Sequence, residues 1–181
     1  AEQERTYNAV ADRIAKGEIP NLGAGLAAMQ SVYPNDAAFR AAFAEKSIRT
    51  TQSRNNRVVR YILCALEKHL SGQDYNFASD SFNIEHVLPQ NPENGWEAFT
   101  DEEVDALAYR LGNMTLMHVG QNKDLGNAPY AEKRVVFEQS GFDITRKLAA
   151  DHAEWTAERI AAHQNWMANQ ATSIWRIAQL S

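Results

Sequence analysis

FNIEHVLPQNP, at residues 82–92, is a short apolar segment that carries an acid and a histidine at its centre and ends among prolines. Its apolar residues partly alternate with polar ones, which is typical of a half-buried strand. Glu85 and His86 interrupt that alternation. Because neighbouring strand residues point to opposite faces, one buried face cannot hold both side chains. The pair is therefore either an accident on an edge strand or part of a functional site.

The segments on both sides of this strand carry helical patterns. A capping box is indicated by Thr100 and Glu103, and either Asn35 or Asp36 is placed to cap an earlier helix. Residues 21–30 are weakly patterned and are interpreted as a loop entering a short helix. Helical spacing of the apolar residues predicts helices over 2–16, 37–46, 54–71 and 101–110, one between Pro129 and Gly141, and a long C-terminal helix broken near Asp151.

A second short strand is predicted at NMTLMHV, residues 113–119, and residues 120–127 are interpreted as a loop or a single helical turn. The two strands and the helix after them form a strand–strand–helix element inside a mostly helical chain. The expected fold class is mainly α with a small inserted ββα element, which is α+β. We expect a helical part over 1–80, the ββα core over 81–140, and a second helical part over 141–181 that packs on the first.

Length and composition indicate one ordinary globular domain. The 181 residues are 44% hydrophobic and 23% charged, and the formal net charge is −5. This charge argues against coating nucleic acid by bulk electrostatics, although a local basic site remains compatible with it. The single cysteine, Cys64, excludes an intramolecular disulfide, and no apolar run reaches the length of a membrane span. We expect a cytoplasmic protein without a membrane partner, and the N-terminus, which lacks Met and is already helical in pattern, suggests a piece of a larger protein.

The polar residues of the ββα element match the parts of a metal-dependent phosphodiesterase. Hard divalent cations prefer oxygen ligands, and the Glu85 carboxylate and the Asn122 amide supply such oxygens, with Asn127 as the alternative to Asn122. The His86 imidazole is a candidate general base for an attacking water. Asn113 precedes the second strand, where an asparagine side chain commonly bonds backbone groups and fixes a loop. It is therefore expected to hold the loop that carries His86.

Two groups of basic residues are candidates for contact with nucleic acid. Lys133 and Arg134 begin a helix, where they either face a phosphate backbone or form a solvated first turn. Arg54, Arg57 and Arg60 recur every third residue on an earlier helix, and such stripes are usually solvated faces. We retain Lys133 and Arg134 as the predicted nucleic-acid-binding pair and interpret the arginine stripe as a solvated face.

Four segments in this order, IEHVLPQNP, LGNMTL, QNKDLGN and PYAEKR, resemble the C-terminal nuclease domain of GmrSD-type modification-dependent restriction enzymes. That family is similar to the HNH, or His-Me finger, endonucleases, which have a ββα-metal core. The resemblance covers nearly all of the chain from about residue 30 onward. It implies that Glu85 is the metal-ligand acid, His86 the general base, Asn113 the loop-fixing asparagine and Asn122 the final metal ligand.

The resemblance further implies a bacterial defence endonuclease that nicks or cuts modified or phage DNA with Mg²⁺ or Mn²⁺, and that depends on a separate N-terminal nucleotide-binding part. Two positions depart from the common HNH pattern: Glu85 stands where many members have Asp, and Asn122 where many have His. The all-oxygen ligands favour Mg²⁺ or Mn²⁺ over Zn²⁺. His118 has no assigned role. The alternative function is a catalytically inactive nuclease-like module that mediates contacts between domains or subunits.

Overall fold

The computed structural model describes residues 2–19, 24, 28 and 35–175, without the side chains of residues 2–4, 7 and 122–124. Within this part the fold is mainly helical with one small antiparallel sheet, which confirms the α+β class. In chain order, the elements are α1 (Glu2–Ala15), α2 (Asp36–Ala44), α3 (Ser53–Ser71), β1 (Phe82–His86), α4 (Asp101–Leu107), a 3-10 turn (Leu111–Asn113), β2 (Met114–His118), α5 (Val119–Leu125), α6 (Tyr130–Glu138), α7 (Asp143–Asp151) and α8 (Ala157–Ile174).

Local sequence signals fix most helix ends. Asn35 caps α2 by accepting a hydrogen bond from the Ala38 N–H, and the capping box of α4 is complete, with both reciprocal bonds between Thr100 and Glu103. Gly72 ends α3 in the left-handed conformation at φ 77°. The predicted break near Asp151 is confirmed, because α7 ends there and α8 begins six residues later. The predicted loop and short helix over 21–30 lie outside the described residues, apart from two alanines.

The sheet pairs β1 with β2 in antiparallel register, with Phe82 opposite His118, Glu85 opposite Thr115 and His86 opposite Met114. A connection of 27 residues, from 87 to 113, separates the strands and contains α4. The segment after β2 forms a seven-residue helix, α5, rather than a loop or a single turn. It lacks a clear apolar period in the sequence, and it is held instead by contacts with both strands. Across the described residues, no helix is long and apolar enough to cross a membrane.

Two apolar clusters meet at β1. Phe82, at its start, belongs to the first cluster, which includes α1, α2, the apolar face of α3, and part of α8. Val87 and Leu88, just after its end, belong to the second, which is formed by residues of α4 to α8. The end of β1, which carries His86, therefore lies between two packed clusters.

Two buried charged side chains of α3 tie the surrounding elements together. Arg60 donates to the carbonyl oxygens of Phe77 (2.6 Å), Phe82 (2.7 Å) and Ser79, and so fixes the chain that enters β1. Glu67 accepts from the first backbone N–H groups of α7 at 2.9 and 3.0 Å. The expectation that Arg60 continues an exposed basic stripe is therefore wrong, because its guanidinium is buried against backbone carbonyls.

Candidate active site

His86 lies at the end of β1 with its ring half-buried. Its Nε2 atom is 3.2 Å from the hydroxyl oxygen of Thr50, and its ring stands edge-on to Tyr109 with the centroids 5.6 Å apart. Burial, followed by the positive charge of Lys133, lowers the pKa of His86 to about 4. The imidazole is therefore neutral at physiological pH, which is the protonation state that a proton acceptor requires.

Gln90 places an amide group beside the same imidazole. The Tyr109 hydroxyl donates to Gln90 Oε1 over 2.9 Å, which turns the Nε2 end of the amide toward the histidine. That nitrogen lies 3.4 Å from Nδ1 and 3.5 Å from Nε2 of His86. Because an amide N–H can only donate, the contact favours an unprotonated ring nitrogen. Tyr109 and Gln90 therefore support the neutral form of the imidazole.

Asn113 holds the backbone immediately after His86. Its side-chain oxygen accepts from the Leu88 N–H (2.8 Å) and from the Trp155 indole (2.9 Å), and its amide nitrogen donates to the carbonyls of Leu88 (2.9 Å) and Ala108 (3.1 Å). The backbone oxygen of Asn113 accepts from the Val87 N–H as well. The side chain is fully buried and uses all four of its hydrogen-bonding positions. The loop predicted to depend on Asn113 is thus bonded to it directly.

The glycine before Asn113 allows this turn to lie against α8. A Cβ on Gly112 would stand 2.5 Å from the carbonyl oxygen of Ile160 and 2.6 Å from the Cβ of Gln164. The Gln164 side chain accepts from the Gly112 N–H at 3.1 Å and from the Arg110 side chain at 2.9 Å. The LGN motif, Leu111–Asn113, therefore combines two features. Gly112 lies close against α8, and the buried Asn113 side chain makes four hydrogen bonds, for which we call it the asparagine hub.

Glu85 forms a buried ion pair with Lys133. The Lys133 ammonium donates to Glu85 Oε1 over 2.6 Å and to the carbonyl oxygen of His86 over 2.9 Å, and the two side chains are 0% and 7% exposed for Lys133 and Glu85. The ammonium also lies 5.8 Å from the centre of the Trp96 ring. Burial raises the pKa of Glu85 and lowers the pKa of Lys133, and the attraction within the pair opposes both shifts. The expectation that Lys133 faces a phosphate backbone is wrong, because its side chain is enclosed.

Glu85 and His86 do not face the same side of the strand. Glu85 stands opposite Thr115, whose hydroxyl bonds to Thr145 of α7 at 2.7 Å, whereas the His86 ring contacts Thr50 before α3. The strand alternation that the sequence indicates is thus present.

The Glu85 carboxylate has the oxygen chemistry of a hard-cation ligand, and the Lys133 ammonium already occupies a cation position beside it. A divalent ion bound at Glu85 would have to share the carboxylate with that ammonium or replace it. In the described part of the chain, no three or more His, Cys, Asp or Glu residues group to hold a metal.

The predicted amide ligands lie in and after α5. Asn122 belongs to this helix, but its side chain is outside the described residues, so its convergence with Glu85 stays a prediction. The backbone oxygen of Asn127, the alternative ligand, accepts from the Trp96 indole at 3.1 Å. Both asparagines stay predicted ligands.

The remaining predicted residues lie around this centre. Arg134 is half-buried, donates to the carbonyl of Ala149 at 2.9 Å and pairs with Glu138 at 3.2 Å, so only part of its guanidinium faces solvent. His118 stacks on Phe142 with the ring centroids 4.6 Å apart. Three neighbours of His86 were not predicted from the sequence: Thr50, Gln90 and Tyr109. Gln90 lies within residues 82–92 and Tyr109 lies just before the LGN motif, but no local sequence pattern indicates Thr50.

One of two comparisons with known proteins finds a match. A family described as GmrSD restriction endonucleases, C-terminal domain, matches residues 33–170, which include both strands, the asparagine hub and most of α8. A search of curated proteins finds no match.

Proposed function

The chain belongs to the family of GmrSD restriction endonuclease C-terminal domains, and from this membership we propose that it is a divalent-metal-dependent DNA endonuclease of the HNH type. The observation that carries the proposal is the neutral, half-buried imidazole of His86 at the end of β1, next to a loop fixed by Asn113. A restriction endonuclease family implies DNA as substrate, and the order strand, strand, helix around His86 supports the ββα-metal arrangement.

His86 acts as the general base in this proposal. The imidazole accepts a proton from a water molecule, the water oxygen forms a bond to phosphorus, the bond from phosphorus to O3′ breaks, and O3′ takes a proton from a solvent water. The products carry a 5′-phosphate and a 3′-hydroxyl. The lowered pKa keeps the acceptor nitrogen free of a proton, and Asn113 keeps the following backbone, and with it the ring, in one position.

Glu85 and Asn122, or Asn127 in place of Asn122, would hold Mg²⁺ or Mn²⁺. When bound, such an ion supplies positive charge to the phosphate and to the leaving oxygen. Lys133 contributes in two ways, by neutralising the buried Glu85 carboxylate and by holding the His86 carbonyl. Arg134 remains a proposed contact to DNA through the exposed part of its side chain.

The biological setting is also part of the proposal. The enzyme restricts modified or phage DNA in the bacterial cytoplasm, and a separate N-terminal nucleotide-binding domain selects the DNA. The net charge of −5 agrees with this division, because an acidic nuclease part holds DNA weakly and in a salt-sensitive way by itself. We further propose that residues 1–80 and 141–181 form the helical support of a nuclease core over 81–140.

A second candidate function is a catalytically inactive module that mediates contacts between domains or subunits. The Lys133 ammonium at the Glu85 carboxylate favours it, because an internal cation there satisfies the acid without a metal. The net negative charge is also compatible with this function.

The two candidates are separated by nicking of supercoiled plasmid with Mg²⁺, Mn²⁺ or a chelator. If the chain is a nuclease, we expect cleavage that requires the metal and is lost in His86→Ala. The matched control is His118→Ala, which alters the histidine at the end of the other strand and should retain cleavage. Circular dichroism establishes that each variant is folded. Equal cleavage by the wild type and His86→Ala would reject the role of His86, and no cleavage by any of the three proteins would favour the inactive module.

A further inference from the structure

Arg49 presents a positive charge at the same site. It lies between α2 and α3 with its side chain exposed, and its guanidinium carbon is 4.7 Å from the centre of the Tyr109 ring. The same ring stands edge-on to His86, with the centroids 5.6 Å apart. Tyr109 therefore links the guanidinium to the imidazole.

The backbone around Arg49 is also held. The Asn55 side chain donates to the carbonyl oxygen of Arg49 at 2.9 Å, and the next residue, Thr50, is buried and reaches Nε2 of His86. Arg49 and Thr50 thus approach the His86–Tyr109 unit from one short segment. Such a fixed segment lowers the entropy that is lost when a long side chain is ordered by a ligand.

The charge of Arg49 is not neutralised within the described chain. Arg49 forms no ion pair there, whereas several other arginines pair with a carboxylate: Arg54 with Asp12, Arg110 with Glu45, Arg134 with Glu138, Arg146 with Asp143 and Arg159 with Glu154. A guanidinium carries N–H groups that match the oxygens of a phosphate, and no carboxylate of the described residues occupies those of Arg49.

Resting on the proposed nuclease function, we propose that Arg49 contacts the scissile phosphodiester of DNA, with Tyr109 as the platform that holds the guanidinium beside His86. The guanidinium supplies N–H donors and positive charge to the phosphate oxygens while His86 takes the proton of the attacking water. The sequence pattern suggested a contact with the phosphate backbone for Lys133, but the fold encloses that side chain.

The test compares Arg49→Ala with Arg57→Ala. Arg57 is the matched control, because it is also exposed and also lies over an aromatic ring, Phe77, at 5.9 Å, so both variants remove the same charge and the same type of stacking. The rate and the Michaelis constant are measured for plasmid nicking with Mn²⁺. We expect Arg49→Ala to lower kcat about 100-fold, and Arg57→Ala to change it by less than about 3-fold, as for a single rim charge. Arg49→Lys should recover part of the loss, because it keeps the charge.

DNA binding gives a second readout that does not depend on turnover. In a His86→Ala background, binding of a short labelled duplex is followed by fluorescence anisotropy over a series of salt concentrations. Adding Arg49→Ala should reduce the slope of log affinity against log salt by about one, the value for one lost phosphate contact. Adding Arg57→Ala should leave the slope unchanged.

Equal losses in Arg49→Ala and Arg57→Ala would overturn the inference, because they would indicate a bulk charge effect. The proposed nuclease function would survive that result as long as the wild type cleaves and His86→Ala does not. If the wild type shows no metal-dependent cleavage, the nuclease function fails and the role of Arg49 fails with it. Because Arg49 is exposed, both arginine variants should give the circular dichroism spectrum of the wild type.

Discussion

Trp155 donates its indole hydrogen bond to the side-chain oxygen of Asn113 across 2.9 Å. Trp155 lies in the connection between α7 and α8, and Asn113 bonds the backbone just after His86. One bond thus joins the C-terminal helices to the loop of the candidate active site. The hub also explains why an asparagine is suited to this position, since its amide offers two donors and two acceptors to four fixed partners.

Replacing Asn113 with Ala should destabilise the fold strongly. The substitution leaves the Leu88 backbone, the Ala108 carbonyl and the Trp155 indole without their buried partner. We expect a loss of about 3 kcal/mol or more in the free energy of unfolding. Urea denaturation measures it, with Asn83→Ala as the control, because Asn83 is an exposed asparagine of β1. A loss no larger than that of the control would show that the four bonds contribute little.

Gly112 should not tolerate a side chain. The Cβ of Gly112→Ala would meet the Ile160 carbonyl at 2.5 Å, and a backbone atom within a helix cannot move aside alone. We expect a loss of about 1–3 kcal/mol in the free energy of unfolding. The matched control is Gly120→Ala in α5, where no atom of the described residues lies within 4 Å of the added Cβ, apart from the chain neighbours and the helix's own backbone, and where alanine favours a helix. Urea denaturation measures both losses. An equal loss of stability in the two variants, or a larger loss in Gly120→Ala, would contradict the close approach of the LGN turn to α8.

Local features of this fold were predictable from the sequence, and the partners of the site residues were not. The capping box of α4 and the glycine end of α3 depend on neighbouring residues, and both were predicted. The ion pair between Glu85 and Lys133 joins positions 48 apart in the chain, and no local sequence pattern predicts it. Lysine at the start of a helix is usually solvated, so the tertiary contact overrides the propensity. Thr50 reaches His86 over 36 positions and escaped prediction for the same reason.

The ion pair of Glu85 and Lys133 should be far more important for stability than an exposed pair of similar length. Lys133→Met leaves a buried carboxylate without its partner, and we expect a loss of about 3–5 kcal/mol in the free energy of unfolding. The control is Lys147→Met, which breaks a pair with Asp151 of 2.8 Å whose side chains are 33% and 42% exposed; its expected cost is about 1 kcal/mol or less.

A second variant separates the charge from the shape of Lys133. In the double variant Glu85→Gln and Lys133→Met, both charges are removed, and a large part of the lost stability should return. The stabilities of the wild type, Lys133→Met, Lys147→Met and the double variant are compared by thermal and urea unfolding. A double variant as unstable as Lys133→Met alone would show that packing around the lysine stem, rather than the unpaired carboxylate, causes the loss.

Stability should fall in mild acid because of a buried histidine pair. The rings of His163 and His152 are 5.6 Å apart, and both nitrogens of His163 and Nδ1 of His152 have no hydrogen-bond partner among the described residues. Burial lowers the pKa of His163 to about 3 and also lowers the pKa of His152. The unfolded chain binds these protons near the ordinary pKa of about 6.5. The folded chain does not.

The sign follows from this difference in proton binding. Above about pH 6.5 neither state protonates His163 and the full stability is present; below it only the unfolded state gains the proton. The free energy of unfolding should therefore decrease by up to about 1.4 kcal/mol per pH unit for His163 as the pH falls from about 6.5 toward about 3. Urea denaturation at about pH 7 and about pH 5 measures the slope. His163→Phe, which keeps an aromatic ring on Trp166, should flatten it, whereas His69→Phe on the exposed side of α3 should not. An unchanged slope in His163→Phe would assign the acid sensitivity to other groups.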